Sequence, residues 1–206
     1  MNRLLLAAAI SVISTSTFAF DWEVPKKEGL DYASMQATYF DFRSVGEGSS
    51  LQAAMGWGTE LTYGTYITDW FRTEVRVGKG IGTDNISELY RSSGNVIKSE
   101  HADVGIDYWG SWYLGAQYPI AEFALFYAEY GFSHVKGTAK KVAKPVAFKD
   151  MPNDFMSSTF SVSWIVGIDF SVVDRLYVTT EIGRLHNDTS TAIKTFRSGI
   201  GLKYEF

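Results

Sequence analysis

The chain has 206 residues, no cysteine and a formal net charge of −4 at pH 7. The lack of cysteine excludes disulfide bonds as a source of stability, and so mild a charge gives no indication of a nucleic-acid partner. Aromatic residues make up 16% of the sequence, and most of them lie in segments where apolar and polar residues alternate.

The first predicted element is a secretory signal peptide over residues 1–19. An early positive charge, an apolar stretch at 4–13 and small residues at Thr17 and Ala19 form this pattern. The apolar stretch is much shorter than the roughly 20 residues of a membrane-spanning helix, so a retained anchor is the weaker alternative. We therefore expect cleavage after Ala19, followed by a periplasmic N-terminal segment over residues 20–29.

Eight segments of alternating apolar and polar residues follow between residues 30 and 206. Alternation is the period of a β-strand, and no segment shows the period and caps of a helix. The predicted connections are short at 68–70, 119–122 and 171–174, and longer at 44–51, 79–101, 135–157 and 186–194. Short turns at one end and long loops at the other are typical of transmembrane barrels. The sequence thus predicts an all-β fold, an eight-stranded antiparallel up-and-down transmembrane β-barrel over residues 30–206.

A soluble, lipocalin-like barrel is the alternative, and it would place the apolar face inside instead of outside. The opposite phase of the strands carries many glycines, which would weaken a water-exposed strand. Inside a narrow barrel, glycine makes room for neighbouring side chains. The large aromatic face would not fit that interior, so we expect it to face lipid.

The inner phase is predicted to hold a network of paired charges that fills the lumen, because charges removed from water need partners. Its members are Glu60, Arg72, Glu74, Arg76, Asp103, Asp107, Glu129, Asp169, Glu181, Arg197, Lys203 and Glu205. Trp109, Tyr113 and Ile165 also fall on this phase. Either they plug the barrel or the strand register slips there.

On these strands the chain resembles the small eight-stranded outer-membrane barrels of Gram-negative bacteria, the OmpA/OmpX-like superfamily, over the barrel domain. In such proteins the last strand resembles a recognition signal for assembly, and Gly201, Tyr204 and Phe206 match its pattern. Gly199 stands where a polar residue is usual. The resemblance implies location in the outer membrane. It also implies three partners: outer-membrane lipid, lipopolysaccharide and, during biogenesis, the barrel-assembly machinery.

Some barrels of this type resemble enzymes that act on lipid A, so we considered His101, His134 and His186 as catalytic candidates. A deacylase would need a histidine and a serine two residues apart on one strand face. Ser133 is adjacent to His134 and therefore points to the opposite face. Metal binding would need clustered histidine or cysteine. We expect no catalytic residue, no metal site and no cofactor.

The third long connection contains a run of basic residues: Lys136, Lys140, Lys141, Lys144 and Lys149. A basic loop at the level of the outer leaflet can bind lipopolysaccharide phosphates or another anionic surface, although a merely solvated loop is the simpler interpretation. We expect a non-enzymatic envelope protein that acts structurally or through its extracellular loops on a surface, lipopolysaccharide or partner still to be identified. The alternatives are a narrow channel for small solutes and, less favoured, a lipid-A-modifying enzyme.

Overall fold

A computed structural model describes residues 26–45, 52–92, 96–141, 160–187 and 194–206, and its regular structure is entirely β-strand. The strands are β1 (Asp31–Val45), β2 (Gln52–Tyr66), β3 (Phe71–Ile81), β4 (Asp84–Ser92), β5 (Val96–Ala121), β6 (Ala124–Lys141), β7 (Ser161–Val173), β8 (Leu176–Asn187) and β9 (Lys194–Glu205). Among the described residues, no helix has the length and apolar character needed to cross a membrane.

Eight of these strands close into an antiparallel up-and-down barrel, as the alternation predicts. In this barrel β3 pairs with β5 instead of β4, every other strand pairs with the next in sequence, and β1 pairs with β9 to complete the ring. Closure removes the exposed edges of the sheet. Two backbone hydrogen bonds between Asp31 and Phe206, of 2.9 and 3.1 Å, fasten the closing seam at one end.

The ninth strand, β4, lies in a region that the sequence predicts as a long loop, and that prediction was wrong. β4 continues β3 after a bend at Gly82, whose φ of 78° suits glycine, and pairs with the first part of β5. Residues 84–101 show no apolar alternation because polar residues occupy both phases. β5 has 26 residues, whereas about 10 suffice to cross a membrane, so this hairpin extends well beyond the bilayer.

The two ends of the barrel differ in their connections. Three tight turns join β2 to β3, β5 to β6 and β7 to β8, and we call this the short-turn end. In the first turn the Thr68 hydroxyl accepts hydrogen bonds from the backbone N–H groups of Trp70 and Phe71 at 3.2 and 3.1 Å. The opposite end, where β1, β6 and β8 finish, is the long-connection end.

The two faces of the sheet are the reverse of those of a soluble protein. Leu61, Val77 and Ile200 point outward and are 55%, 55% and 58% exposed, whereas Glu60 and Arg76 point inward and are 1% and 2% exposed. An apolar exterior over a buried charged interior is stable only when the exterior meets lipid. The barrel therefore has its apolar face toward the membrane.

Candidate functional site

The lumen is the place where most of the predicted charged residues meet. Of the twelve predicted members, ten are buried inside the barrel: Glu60, Arg72, Glu74, Arg76, Glu129, Asp169, Glu181, Arg197, Lys203 and Glu205. They come from β2, β3, β6, β7, β8 and β9, because in each strand every second side chain points to the axis.

Arg76 is the centre of this network. Its Nη1 atom lies 3.0 Å from Glu60 Oε1 and 2.8 Å from Glu181 Oε1, and its Nη2 lies 3.0 Å from Glu129 Oε2. Its Nε donates to Glu74. One guanidinium thus contacts four carboxylates on four strands, which its planar set of five N–H donors permits.

Arg197 supplies a second cation to the same carboxylates. Its Nη1 and Nη2 groups donate to the two oxygens of Glu60, both at 2.7 Å, and Nη2 also donates to Glu181. Gln36 donates to Glu60 at 2.6 Å, and the Tyr127 hydroxyl donates to Glu181 at 3.0 Å. The bidentate geometry and these neutral donors satisfy oxygens that would otherwise be buried without partners.

Arg72 and Lys203 continue the network toward the short-turn end. Arg72 Nε lies 2.6 Å from Glu129 Oε1, and its guanidinium carbon lies 3.8 Å from the centre of the Tyr127 ring. Asp169 accepts from Arg72 Nη1 at 3.2 Å and from Lys203 Nζ at 2.5 Å. Lys203 also lies 3.2 Å from Glu205. The charges therefore form one continuous paired chain.

Lys27 closes this chain at the short-turn end and was missed in the sequence. It precedes β1, yet its side chain enters the barrel, where Nζ donates to Glu205 at 2.5 Å and to the Tyr177 hydroxyl at 3.2 Å. Its backbone N–H and that of Glu28 donate to one oxygen of Asp69 at 2.7 and 3.0 Å. Residues 26–30, which we call the N-terminal strap, thus fold over the mouth of the barrel.

Lys27 of the strap and Asp69, which accepts hydrogen bonds from the strap, both have displaced pKa values. Burial, followed by repulsion from Lys203, lowers the pKa of Lys27 to about 8, although Glu205 opposes the shift. The backbone N–H groups of Glu28 and Lys27 lower the pKa of the Asp69 carboxyl because they stabilise its charged form.

The lumen toward the long-connection end is apolar instead of charged. Phe40, Phe42 and Trp109 are at most 1% exposed, and the Phe40 and Trp109 rings meet edge to face with centroids 4.9 Å apart. The Trp109 Nε1–H donates to Glu60 at 2.5 Å, which joins this aromatic layer to the charge network. Other buried members of the layer are Ala54, Val104, Ile106, Val135 and Leu185.

Inner glycines make room for aromatic rings more often than for the charged side chains. A Cβ on Gly78 would lie 2.1 Å from the Trp109 ring, and one on Gly64 would lie 2.3 Å from the Tyr32 ring. Trp109, Tyr113 and Ile165 are all buried in the lumen. These three side chains fill the barrel, which confirms the first of the two explanations for their position on the inner phase.

A register slip, the second explanation, also occurs, but a few residues earlier on β5. A β-bulge lies between Ile106 and Tyr108, and a bulge inverts the facing of the residues beyond it. Val104 and Ile106 therefore point inward, whereas Asp107 is exposed on the outside and Asp103 is half-buried. The predicted placement of Asp103 and Asp107 in the lumen was wrong for this reason. The correction leaves six lumen carboxylates near five cations when Lys27 is included.

The remaining predicted residues lie outside the lumen or outside the described residues. Lys136 is exposed near the end of β6; Lys140 and Lys141 lie in β6 without described side chains, and Lys144 and Lys149 fall in 142–159. Gly201 lies opposite Gln36 on β1, whereas Tyr204 and Phe206 point outward with stacked rings 6.4 Å apart. These positions do not test the expected role in assembly.

The side chains of Ser133 and His134 point to opposite faces of β6. His134 points outward between Tyr108 and Phe160, with ring centroids 6.2 and 5.4 Å away, whereas Ser133 is buried inside the barrel. His186 is buried in the lumen; of His101 only the backbone is described. Within the described ranges, no cluster of histidine, cysteine or acidic side chains could hold a metal ion.

A closed antiparallel barrel with an apolar exterior and a polar, charge-paired interior defines the class of transmembrane β-barrels. The chain belongs to the outer membrane protein beta-barrel domain family, whose family model matches residues 5–206. It is thus an integral protein of the outer membrane, in a family of Gram-negative bacteria. We therefore place the short-turn end in the periplasm and the long-connection end outside the cell.

Several solved outer-membrane proteins share the fold. Neisserial surface protein A matches with a TM-score of 0.54 and 15% identity, over 87% of this chain and 100% of that chain. The outer membrane protein OprG from Pseudomonas aeruginosa matches with a TM-score of 0.50 and 12% identity, over 89% and 98%. Ail, the attachment invasion locus protein of Yersinia pestis, matches with a TM-score of 0.50 and 15% identity, over 87% and 99%. No curated protein matches the sequence.

Proposed function

We propose that this protein is a non-enzymatic outer-membrane barrel that acts from its exterior, by binding lipopolysaccharide phosphates at the long-connection end. The observation that carries the proposal is a pair of exposed lysines, Lys79 and Lys136, on either side of Tyr108 on the outer face. We call these two residues the outer-face lysine pair.

Strand register places the pair side by side across three strands. Lys79 on β3 is opposite Tyr108 on β5, and Tyr108 is opposite Lys136 on β6. Lys136 Nζ lies 5.9 Å from the centre of the Tyr108 ring. Neither lysine forms an ion pair with any residue that the structure describes. Two such cations on a lipid-facing surface are suited to anionic head groups.

The position of the pair favours lipid head groups as the binding partner. The strands below it carry apolar outer residues such as Val77 and Phe132, which are 55% and 50% exposed. Lysine near such a boundary keeps its stem on the apolar surface and its ammonium group among head groups. Because lipopolysaccharide forms the outer leaflet of this membrane, its phosphates are the anions within reach.

A concavity of about 490 Å³ lies directly beside Lys79, where β3 bends into β4. Gly80, Thr83 and Tyr108 are among the residues that line it. Asp107 lines it too and is already engaged in an interaction of its own. The concavity gives a head-group phosphate room to approach Lys79. Lys136 is the first of the five lysines noted in the sequence, and we propose that the other four also bind these phosphates.

Binding of lipopolysaccharide to the refolded protein tests this proposal. We expect the double variant Lys79→Gln and Lys136→Gln to bind purified lipopolysaccharide about three- to tenfold more weakly, since exposed ion pairs contribute up to about 1 kcal/mol each. Lys26→Gln, an exposed lysine at the short-turn end, is the matched control and should bind like the wild type. Boiling-dependent mobility on gels confirms that each variant has folded.

Two results would contradict the proposal. One is unchanged binding by the double variant. The other is equal binding of dephosphorylated lipopolysaccharide, which would show that the phosphates are not recognised. The non-enzymatic part of the proposal is tested separately by mass spectra of lipid A from a strain with and without the gene. A changed acylation or phosphate pattern would assign a lipid-A-modifying activity instead.

A further inference from the structure

Arg184 is another outward-facing cation, on β8, two strands away from β6, which carries Lys136. It is half-buried on β8 and belongs to the last residue pair before a β-bulge. It is directly opposite Trp164 on β7 and Phe196 on β9. Strand register thus places Arg184 between two aromatic residues, near the long-connection end.

The guanidinium of Arg184 is not satisfied by the protein. Its Nε atom is buried and has no hydrogen-bond partner, and no ion pair joins Arg184 to any other described residue. A buried donor of a charged group without a partner is costly. The lumen arginines, in contrast, each contact two or more carboxylates or rings. Arg184 is therefore arranged to meet an anion from outside the chain.

A concavity of about 390 Å³ opens on the outer face; Trp164 and Phe196, the two cross-strand neighbours of Arg184, line it, although Arg184 itself does not. Cross-strand pairs build its outward side: Ile182 with Ser198, Ser198 with Tyr39, and Phe196 with Asp41. The small side chain of Ser198 forms a depression between the larger rings of Tyr39, Trp164 and Phe196. Aromatic walls beside an arginine suit a ligand with an apolar chain and an anionic head.

Asp41 is the one acidic residue among those that line this concavity. It belongs to β1, two strands away from Arg184, and already interacts within the protein. Its charge opposes an incoming anion, so it lowers the affinity of the site without filling it.

We propose that Arg184 and the concavity walled by Tyr39, Trp164 and Phe196 bind one lipid A molecule, with a phosphate on Arg184 and an acyl chain between the rings. This inference rests on the proposed function, because it names a second point of contact for the same outer-leaflet lipid. The occupant is lipid A, not a phospholipid, because the site lies at the long-connection end.

Native mass spectrometry of the refolded barrel, titrated with bisphosphorylated lipid A, tests the site. Arg184→Gln should bind lipid A about tenfold more weakly, since it removes a charge-assisted hydrogen bond, and Arg184→Lys should lose only part of the affinity. Asp41→Asn should bind more tightly than the wild type. Arg175→Gln, an exposed arginine in a turn at the other end, is the matched control and should behave like the wild type.

Each outcome decides between this site and the proposed function. If Arg184→Gln binds like the wild type while the lysine double variant is weakened, the site is wrong and the proposed function stands. If the wild type binds no lipid A, both are wrong. Phosphatidylglycerol bound as tightly as lipid A would overturn the identity of the occupant. Boiling-dependent gel mobility again selects folded protein, and Arg184→Lys keeps the test decisive if Arg184→Gln fails to fold.

Discussion

The two halves of the lumen are closed by different means. Toward the short-turn end, charges fill the barrel and pair with one another around Arg76 and Arg197. Toward the long-connection end, aromatic and aliphatic side chains around Phe40 and Trp109 fill it by packing. Charges hold their positions through directional hydrogen bonds, whereas the apolar layer depends on shape. The described side chains of both halves that point into the lumen are largely buried.

The largest expected effect comes from removing the central cation of the charged half. Arg76→Met would leave four buried carboxylates with fewer partners, so we expect a loss of about 3–5 kcal/mol in the free energy of unfolding. Urea unfolding of the protein in lipid vesicles, followed by tryptophan fluorescence, measures this change. Arg175→Met, which removes an exposed arginine from a short turn, is the control. An Arg76→Met protein as stable as the wild type would show that the network is not paired as described.

The matching test of the apolar half is Phe40→Ala. Its ring is 1% exposed and contacts Trp109, so its loss leaves a cavity and should cost about 3 kcal/mol. The same unfolding measurement applies. Phe132→Ala, on the lipid-facing side of β6, is the control and should cost less. Equal losses of stability for the two variants would mean that the lumen toward the long-connection end is not a packed core.

The pH dependence of stability tests whether Lys27 of the strap enters the charged half of the lumen. Because the pKa of Lys27 is lowered from 10.5 to about 8 in the folded protein, the unfolded chain binds more protons between these values. Stability should therefore rise with pH in that window, by about 2 kcal/mol between pH 7 and pH 10 from this group. The test is the difference between wild type and Lys27→Met. If both show the same pH dependence, Lys27 does not enter the barrel.

The smallest expected effect concerns the anchor of the strap. Asp69→Ala removes the acceptor of the Lys27 and Glu28 backbone N–H groups, so it should loosen the strap with little effect on the stability of the barrel. We expect hydrogen exchange at these two amides to quicken while the strands keep their protection. Asp174→Ala, in another short turn, is the control. Unchanged exchange at Lys27 and Glu28 would place the strap elsewhere.

Alternation alone predicted the barrel and most of the lumen, because a barrel strand must place every second side chain inside. It failed where backbone geometry changes without a sequence signal. The bulge at Ile106–Tyr108 moved Asp107 outside, and the polar hairpin that contains β4 has no apolar phase to detect. Lys27 was missed because it lies before the first strand, so that its entry depends on Asp69, which lies far away in the sequence.

The role proposed for Arg184 could not be predicted from the sequence, for a different reason. Its phase on β8 already places it outside, but the alternation gives no reason to single it out. Only the cross-strand pairing with Trp164 and Phe196, and the lack of an acceptor for Nε, indicate a ligand. Such contacts join three strands and depend on register, which the sequence of one strand does not determine.

Planar-bilayer conductance tests most directly whether the lumen is closed. The wild-type protein should show no stable ion conductance, because charge pairs fill one half and packed rings fill the other. The double variant Arg76→Met and Phe40→Ala, which opens both halves, should conduct. Stable conductance by the wild type would contradict the account and assign the protein to narrow channels for small solutes.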